Sequence, residues 1–111
     1  TNAIKKAIDS ANLNLQAMVD GKLVRVKFPE MTKETRVAMA EQAKRKGEEA
    51  KVSIRNVRRN SNELVKKQKS DGEIPEDTMK KNEKKIQELT DKFCKMVDDL
   101  IVEKEKEIMT V

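Results

Sequence analysis

Three arginines, Arg55, Arg58 and Arg59, close the stretch Gly47-Glu48-Glu49-Ala50-Lys51-Val52-Ser53-Ile54-Arg55-Asn56-Val57-Arg58-Arg59. On a helix, steps of three and four residues put their guanidinium groups on one side, away from Ile54 and Val57. Lys51, Asn62 and Lys66 extend that surface along the axis. Like charges at this spacing repel by a few tenths of a kcal/mol per pair, a cost removed when phosphates lie between them. Arginine also grips phosphate bidentately and stacks on bases, which lysine does not. The chemistry on offer is binding of a polyanion. The same pattern equally fits a solvated helix face whose arginines pair with nearby acids, and no aromatic residue interleaves with it. The patch alone does not name RNA.

Other reactive residue types are sparse. There is no His, so the usual general base, a common zinc ligand and most nucleophile–base pairs are missing. The single cysteine, Cys94, excludes an internal disulfide and, with no His to activate it, reads as an inert half-buried thiol beside Phe93. A reducing compartment suits such cysteine usage. Asp98 and Asp99 diverge on a helix and no third ligand follows, so they read as solvent-facing surface rather than a metal site. No catalytic constellation can be assembled, and neither enzyme activity nor a cofactor is expected.

The elements that must position the arginines are helical. Apolar residues make up 36% and charged residues 41% of the 111, with no Trp or Tyr and two Phe. So thin a core suits long amphipathic helices, each needing one apolar stripe. The net charge of +5 is unevenly spread: Lys44 to Lys69 holds ten basic and three acidic residues, whereas Ser70 to Val111 holds eight and twelve. A basic half beside an acidic one points the first segment toward a polyanionic partner. Neither a signal peptide nor an apolar run long enough to span a membrane is present, so the protein reads as soluble. The chain begins at Thr1, without Met, directly in a helical pattern, as a truncated or processed chain would.

Along the chain, Ala3, Ile4, Ala7, Ile8 and Ala11 predict a short helix. Asn12 to Asn14 and Asp20-Gly21 are turn signals. Leu23 to Phe28 predicts one strand with Val24, Val26 and Phe28 on one face, its partner strands lying outside the chain or in another copy. Pro29 ends the strand and Thr32 suits a helix N-cap. From there the seam Ala40, Ala43, Gly47, Ala50, Ile54, Val57, Ser61, Leu64 alternates steps of three and four, the rhythm of helices packed side by side. Gly47 costs about 1 kcal/mol of helix propensity relative to Ala, which close packing can offset. The helix is expected to end near Ser70-Asp71-Gly72. Pro75, Glu76 and Asp77 suit a new helix N-terminus. Met79, Ile86, Leu89, Phe93, Met96, Val97, Leu100, Ile101 and Ile108 form its apolar stripe. The short connection makes the two helices antiparallel. The Val97 and Ile101 edge widens the stripe beyond one partner, so a third helix is expected.

The run Gly47 to Arg59 resembles the ribosome recycling factor family, whose second long helix carries G-E-x-A-x-V-x-x-R-N-x-R-R. Thr1 to Ile8 looks like the short helix of that family's second domain. Val24-Arg25-Val26, Pro29 and Met31-Thr32-Lys33-Glu34 resemble its returning strand, hinge and helix start. Ile74-Pro75-Glu76-Asp77 stands at its interhelical turn, and Lys104 to Met109 resembles its C-terminus. The likeness runs across essentially the whole chain.

The resemblance implies an L-shaped protein in which a three-helix bundle and a smaller α/β domain are joined by hinges. It implies no enzyme activity, but binding to large-subunit ribosomal RNA and, with elongation factor G and GTP, the splitting of ribosomes after termination. Arg55 and Arg58 match the RNA-contacting arginines, Arg58 foremost, with Asn56 and Arg59 as neighbours; Arg25, Pro29 and Met31 fall at the hinge. The cell compartment implied is a bacterial cytoplasm, or the stroma or matrix of a bacteria-derived organelle. The expected fold is therefore mainly α. Residues 32–111 form a long antiparallel helical hairpin, two helices of the bundle, and residues 1–31 an α/β remnant. The family's N-terminal helix and most of its α/β domain are absent, so self-association through the uncovered seam is expected unless more chain precedes it. Lys27 and Glu30 replace frequent hinge prolines, and Pro75 replaces a frequent capping Ser. The alternative is a helical hairpin that binds partner proteins and no RNA.

Overall fold

The computed structural model describes residues 1–13 and 15–110 and divides them into two compact units, Thr1–Thr32 and Lys33–Val111. The first unit holds α1 (Asn2–Ser10), β1 (Gln16–Asp20) and β2 (Leu23–Lys27). The second holds α2 (Lys33–Ser70) and α3 (Glu76–Met109).

In the first unit the strand expected at Leu23 has its partner within the chain. β1 and β2 pair antiparallel, Ala17 opposite Val26 and Val19 opposite Val24. The expectation of one strand is corrected because β1 has only Ala17, Met18 and Val19 between polar ends, and forms through its ladder rather than its own pattern. Gly21 and Lys22 make a two-residue loop, and Gly21 adopts φ of 61°, a conformation that glycine takes without strain. The face with Ala17, Val24 and Val26 is the sheltered one, Ala17 being buried. Phe28 lies past the strand end, 75% exposed, and does not share that face. Asn12 turns the chain with φ of 52°; Asn14, read with it as a turn, lies outside the described residues.

In the second unit α2 is a continuous helix of 38 residues, about 57 Å at 1.5 Å per residue. Its end is a Schellman motif: Gly72 takes φ of 77°, its N–H donates to Lys69 O at 3.0 Å, and Glu73 N–H donates to Gln68 O at 2.9 Å. Pro75 stands just before α3 as its N-cap, extended, rather than in the first turn. Glu76 and Asp77 then complement the positive helix end.

α2 and α3 pack on a seam turned slightly from the one expected. Ala40, Ala43, Gly47, Ile54 and Ser61 belong to it, but so do Lys51, Arg58 and Val65. Ala50, Val57 and Leu64 are exposed, Val57 by 63% and Leu64 by 57%. The reason is that two adjacent stripes run along α2, and apolar pattern cannot say which one meets α3; the long stems of Lys51 and Arg58 cover surface that Val57 and Leu64 do not. On α3 the facing residues are Ile86, Thr90, Cys94, Val97, Ile101 and Ile108. The uncovered edge is thus not Val97 and Ile101 but Leu89, Phe93, Met96 and Leu100, each 44–61% exposed.

Two contacts lock the hairpin. A methyl group at position 47 would fall inside the Ile101 side chain, so only glycine lets the helices approach this closely. At the far end, Arg36 Nη1 donates to Ile108 O at 2.9 Å and Thr110 O at 2.7 Å, placing a cation on the carbonyls that end α3. Thr90, buried, donates its hydroxyl to Ile86 O at 2.7 Å.

Gly47→Ala is expected to lower the unfolding free energy in urea by about 1–2 kcal/mol, because overpacking outweighs the gain in helix propensity; equal or greater stability would contradict the close approach. Arg36→Ala is expected to speed amide exchange in the last turn of α3 about tenfold, the loss of a charged hydrogen bond. Unchanged exchange would show that the cap is idle.

Candidate nucleic-acid interface

The cationic stretch sits at the middle of α2, where no break interrupts the helix, so its side chains are held at fixed angles to the seam. Arg55, Arg59 and Lys66 are exposed and lie roughly a quarter turn from the Gly47–Val65 line. Val57 and Leu64 project from the opposite flank. Asn56 is exposed on the back of the helix, away from α3.

Three of the expected surface residues stand elsewhere. Arg58 is half-buried and lines an apolar groove with Ile54, Val57, Ile86, Leu89 and Phe93, rather than facing away from Ile54 and Val57. Asn62 is half-buried, and its Oδ1 is enclosed with no hydrogen-bond partner among the described residues, as is Oε1 of Glu83. Lys51 is drawn inward: its side chain is 12% exposed, and Nζ lies 2.8 Å from Asp98 Oδ1 and 3.0 Å from Glu48 Oε1. The physical cause is common to all three. Each lies within about 60° of the seam on a helical wheel, close enough for α3 to cover it.

The hydrogen bond to Asp98, then that to Glu48, raises the Lys51 pKa above its ordinary 10.5. Lys51 is therefore a cross-helix clamp and offers little free charge to a polyanion. By contrast, among the described residues neither Arg55, Arg58 nor Arg59 forms a salt bridge. On α3, Asp98 is engaged with Lys51, and Asp91 accepts from a Gln87 amide at 2.9 Å.

Arg25, in the first unit, is exposed and pairs with Asp20 at 3.0 Å across the hairpin. Pro29 and Met31 follow β2 and are exposed. Sequence reasoning missed Arg36, whose partners are backbone carbonyls 72 and 74 residues away. It also missed the tie of Asp98 to Lys51, a pairing no local pattern announces.

The profile of the family described as Ribosome recycling factor matches residues 1–109. The chain belongs to the ribosome recycling factor family. It is 52% identical over 110 residues to the ribosome-recycling factor of Chlamydia caviae, covering 99% of this chain and 59% of that protein. The Chlamydia trachomatis protein of the same name is 54% identical over 110 residues, 99% of this chain and 60% of the relative. That of Clostridium perfringens is 45% identical over 108 residues, 97% and 58%. A solution structure of the ribosome recycling factor superposes with a TM-score of 0.67 at 40% identity, over 100% of this chain and 58% of that one. The chain thus spans about three fifths of the length of these ribosome recycling factors. Its mainly helical hairpin with a small antiparallel sheet agrees with that fold. Among the described residues no helix is long and apolar enough to cross a membrane.

The stability that Lys51 confers follows from the direction of its shift. With the folded pKa above the unfolded one, its contribution is full below pH 10.5 and is lost as pH rises through the folded value. Urea unfolding of Lys51→Met beside the parent chain is expected to show a gap that is constant from pH 6 to about 10 and narrows above it. A gap that instead closes in the neutral range would show that another group is responsible.

Proposed function

We propose that this chain is the RNA-contacting portion of a ribosome recycling factor, a translation factor that acts without chemistry of its own. Residues 32–111 supply two helices of the bundle that lies on large-subunit ribosomal RNA. Residues 1–31 are part of the smaller α/β domain, and Arg25, Pro29 and Met31 stand at the hinge between them. Elongation factor G, using GTP, is the partner that turns binding into subunit separation. The setting is a bacterial cytoplasm or the stroma or matrix of a bacteria-derived organelle.

The single observation that carries the RNA reading is the row of exposed Arg55, Arg59 and Lys66 on one flank of an uninterrupted helix, with none of the three in an ion pair among the described residues. A rigid helix presents such charges at fixed spacing, so its cations can displace the counterions condensed on phosphates without the backbone ordering a loop would require. Arg55 and Arg59 carry the main contacts, Lys66 and Asn56 border them, and Arg58 and Asn62 contribute from the seam's edge. Lys51 holds the flank in register through α3 and is not itself a phosphate ligand.

A second reading, a hairpin that only binds helices of other proteins, is favoured by the open apolar groove that Arg58 lines. Salt dependence separates the two. Binding to purified large subunits is expected to weaken steeply with salt. Arg55→Ala and Arg59→Ala should each reduce the log–log slope by about one. Arg58→Ala should reduce it by less, and Lys51→Met not at all. Salt-insensitive binding that ignores both exposed arginines would support the protein-binding hairpin instead.

A further inference from the structure

The lysines of the chain gather close to the turn of the hairpin. Residues 66–69, at the end of α2, and 80–85, early in α3, together hold seven lysines and one acid, Glu83. Four of the seven belong to α3, although the half of the chain from Ser70 onward is acidic on balance.

The Lys51–Asp98 ion pair marks the flank on which the two helices meet, and so shows which way these lysines face. Lys80 precedes Asp98 by about five whole turns and stands on the same side of α3, with Lys84 about one turn further on. Equal steps from Lys51 along α2 and from Asp98 back along α3 end at Lys66 and Glu83. Lys80 and Lys84 therefore stand on either side of Lys66, across a crease between helices whose axes pack about 8–10 Å apart. Alongside Arg55 and Arg59 the same flank of α3 carries Gln87 and Asp91, bonded to each other. The cationic ridge is thus one helix wide at the arginines and two helices wide at Lys66.

Little on the protein neutralises this wider end. Lys66, Lys80 and Lys84 are all exposed. Among the described residues Lys66 and Lys84 form no ion pair, and Lys80 has only Glu76, at 3.9 Å. Glu83, between them in sequence, turns its Oε1 into the seam. Lysines four apart on a helix repel, and phosphates laid across the crease relieve that repulsion.

We propose that Lys80 and Lys84 of α3, with Lys66, form a second contact for ribosomal RNA, so that the backbone gripped by Arg55 and Arg59 crosses from α2 onto α3. The inference rests on the RNA reading of the arginine ridge and extends its footprint to the second helix. The group recognised is the phosphodiester backbone and not the bases. No aromatic side chain stands among these lysines, and an ammonium is a mobile point charge that serves phosphate whatever the sequence. A nucleic-acid strand brings one charge per nucleotide, a density that suits cations gathered within two turns better than an acidic protein face does.

The test measures binding of the 111-residue chain to purified large ribosomal subunits over a range of salt. Lys80→Gln with Lys84→Gln is expected to lower the log–log slope by about two, one for each charge. Lys81→Gln with Lys85→Gln removes the same charge from the far side of the same turns and is expected to leave the slope nearly unchanged. Circular dichroism verifies that each variant stays helical; should the first double variant unfold, Lys84→Gln alone must lower the slope by about one. A benzophenone side chain in place of Gln87, on the shared flank, is expected to crosslink to RNA. Equal slopes for the two double variants, or crosslinks to ribosomal protein alone, overturn the proposal. If Arg55→Ala and Arg59→Ala lower the slope while the Lys80 and Lys84 substitutions do not, the second contact fails and the arginine ridge stands. If none of the four lowers it, the RNA reading itself falls.

Discussion

The contact on which the hairpin depends is the seating of Ile101 in the space left by the missing side chain of Gly47. Two helices of 38 and 34 residues built mainly from charged residues have little apolar surface to hold them, and of the residues described only Ala17, Val65 and Thr90 join Gly47 in being buried. Register along so thin a seam is set by a few positions where nothing else fits. The Ile101 seat is one; the Lys51–Asp98 ion pair, one turn along α2, is the next. The Arg36 cap over the end of α3 is the third, and it acts on backbone carbonyls rather than side chains. Moving either helix by one turn, about 5.4 Å, would break all three together.

A fixed register gives α2 two distinct flanks. One carries Arg55, Arg59 and Lys66 into solvent; the other carries Ala50, Val57 and Leu64 along the open groove. A loop could not keep such surfaces apart, because its side chains would sample both sides. Placing charge on a long helix and apolar residues a half turn away keeps two unlike surfaces apart on one element. Membership of the ribosome recycling factor family rests on the profile match over residues 1–109 and on the relatives' identity. The second flank leaves Val57 and Leu64 exposed beside Leu89, Phe93, Met96 and Leu100 of α3.

Lysine and arginine play different parts here for physical reasons. Lys51 reaches two carboxylates with a compact ammonium and gives up its exposure to do so. The arginines keep a delocalised charge that is weakly hydrated and shaped for bidentate contacts, so their exposure costs little. Counting cations along the stretch therefore overstates the charge available to a partner. Arg58 sits between these cases, its stem within the packing and its charge at the edge of the groove.

Much of this was written in the order of residues. The alternation of three and four along α2, the Gly72 stop and the acids after Pro75 determine two long antiparallel helices, because helix period and end chemistry are local properties. The motif from Gly47 to Arg59 carries the resemblance to the family that the profile match over residues 1–109 shows. Which stripe of α2 meets α3 was not legible, since Ala50, Val57 and Leu64 are as apolar as their neighbours and periodicity carries no information about a partner's side. Nor was the strand Gln16–Asp20, which exists through its ladder with Leu23–Lys27. The ion-paired Lys51, the half-sheltered Arg58 and the capping Arg36 belong to tertiary structure alone, because each depends on atoms that chain order keeps nearly thirty to more than seventy residues away.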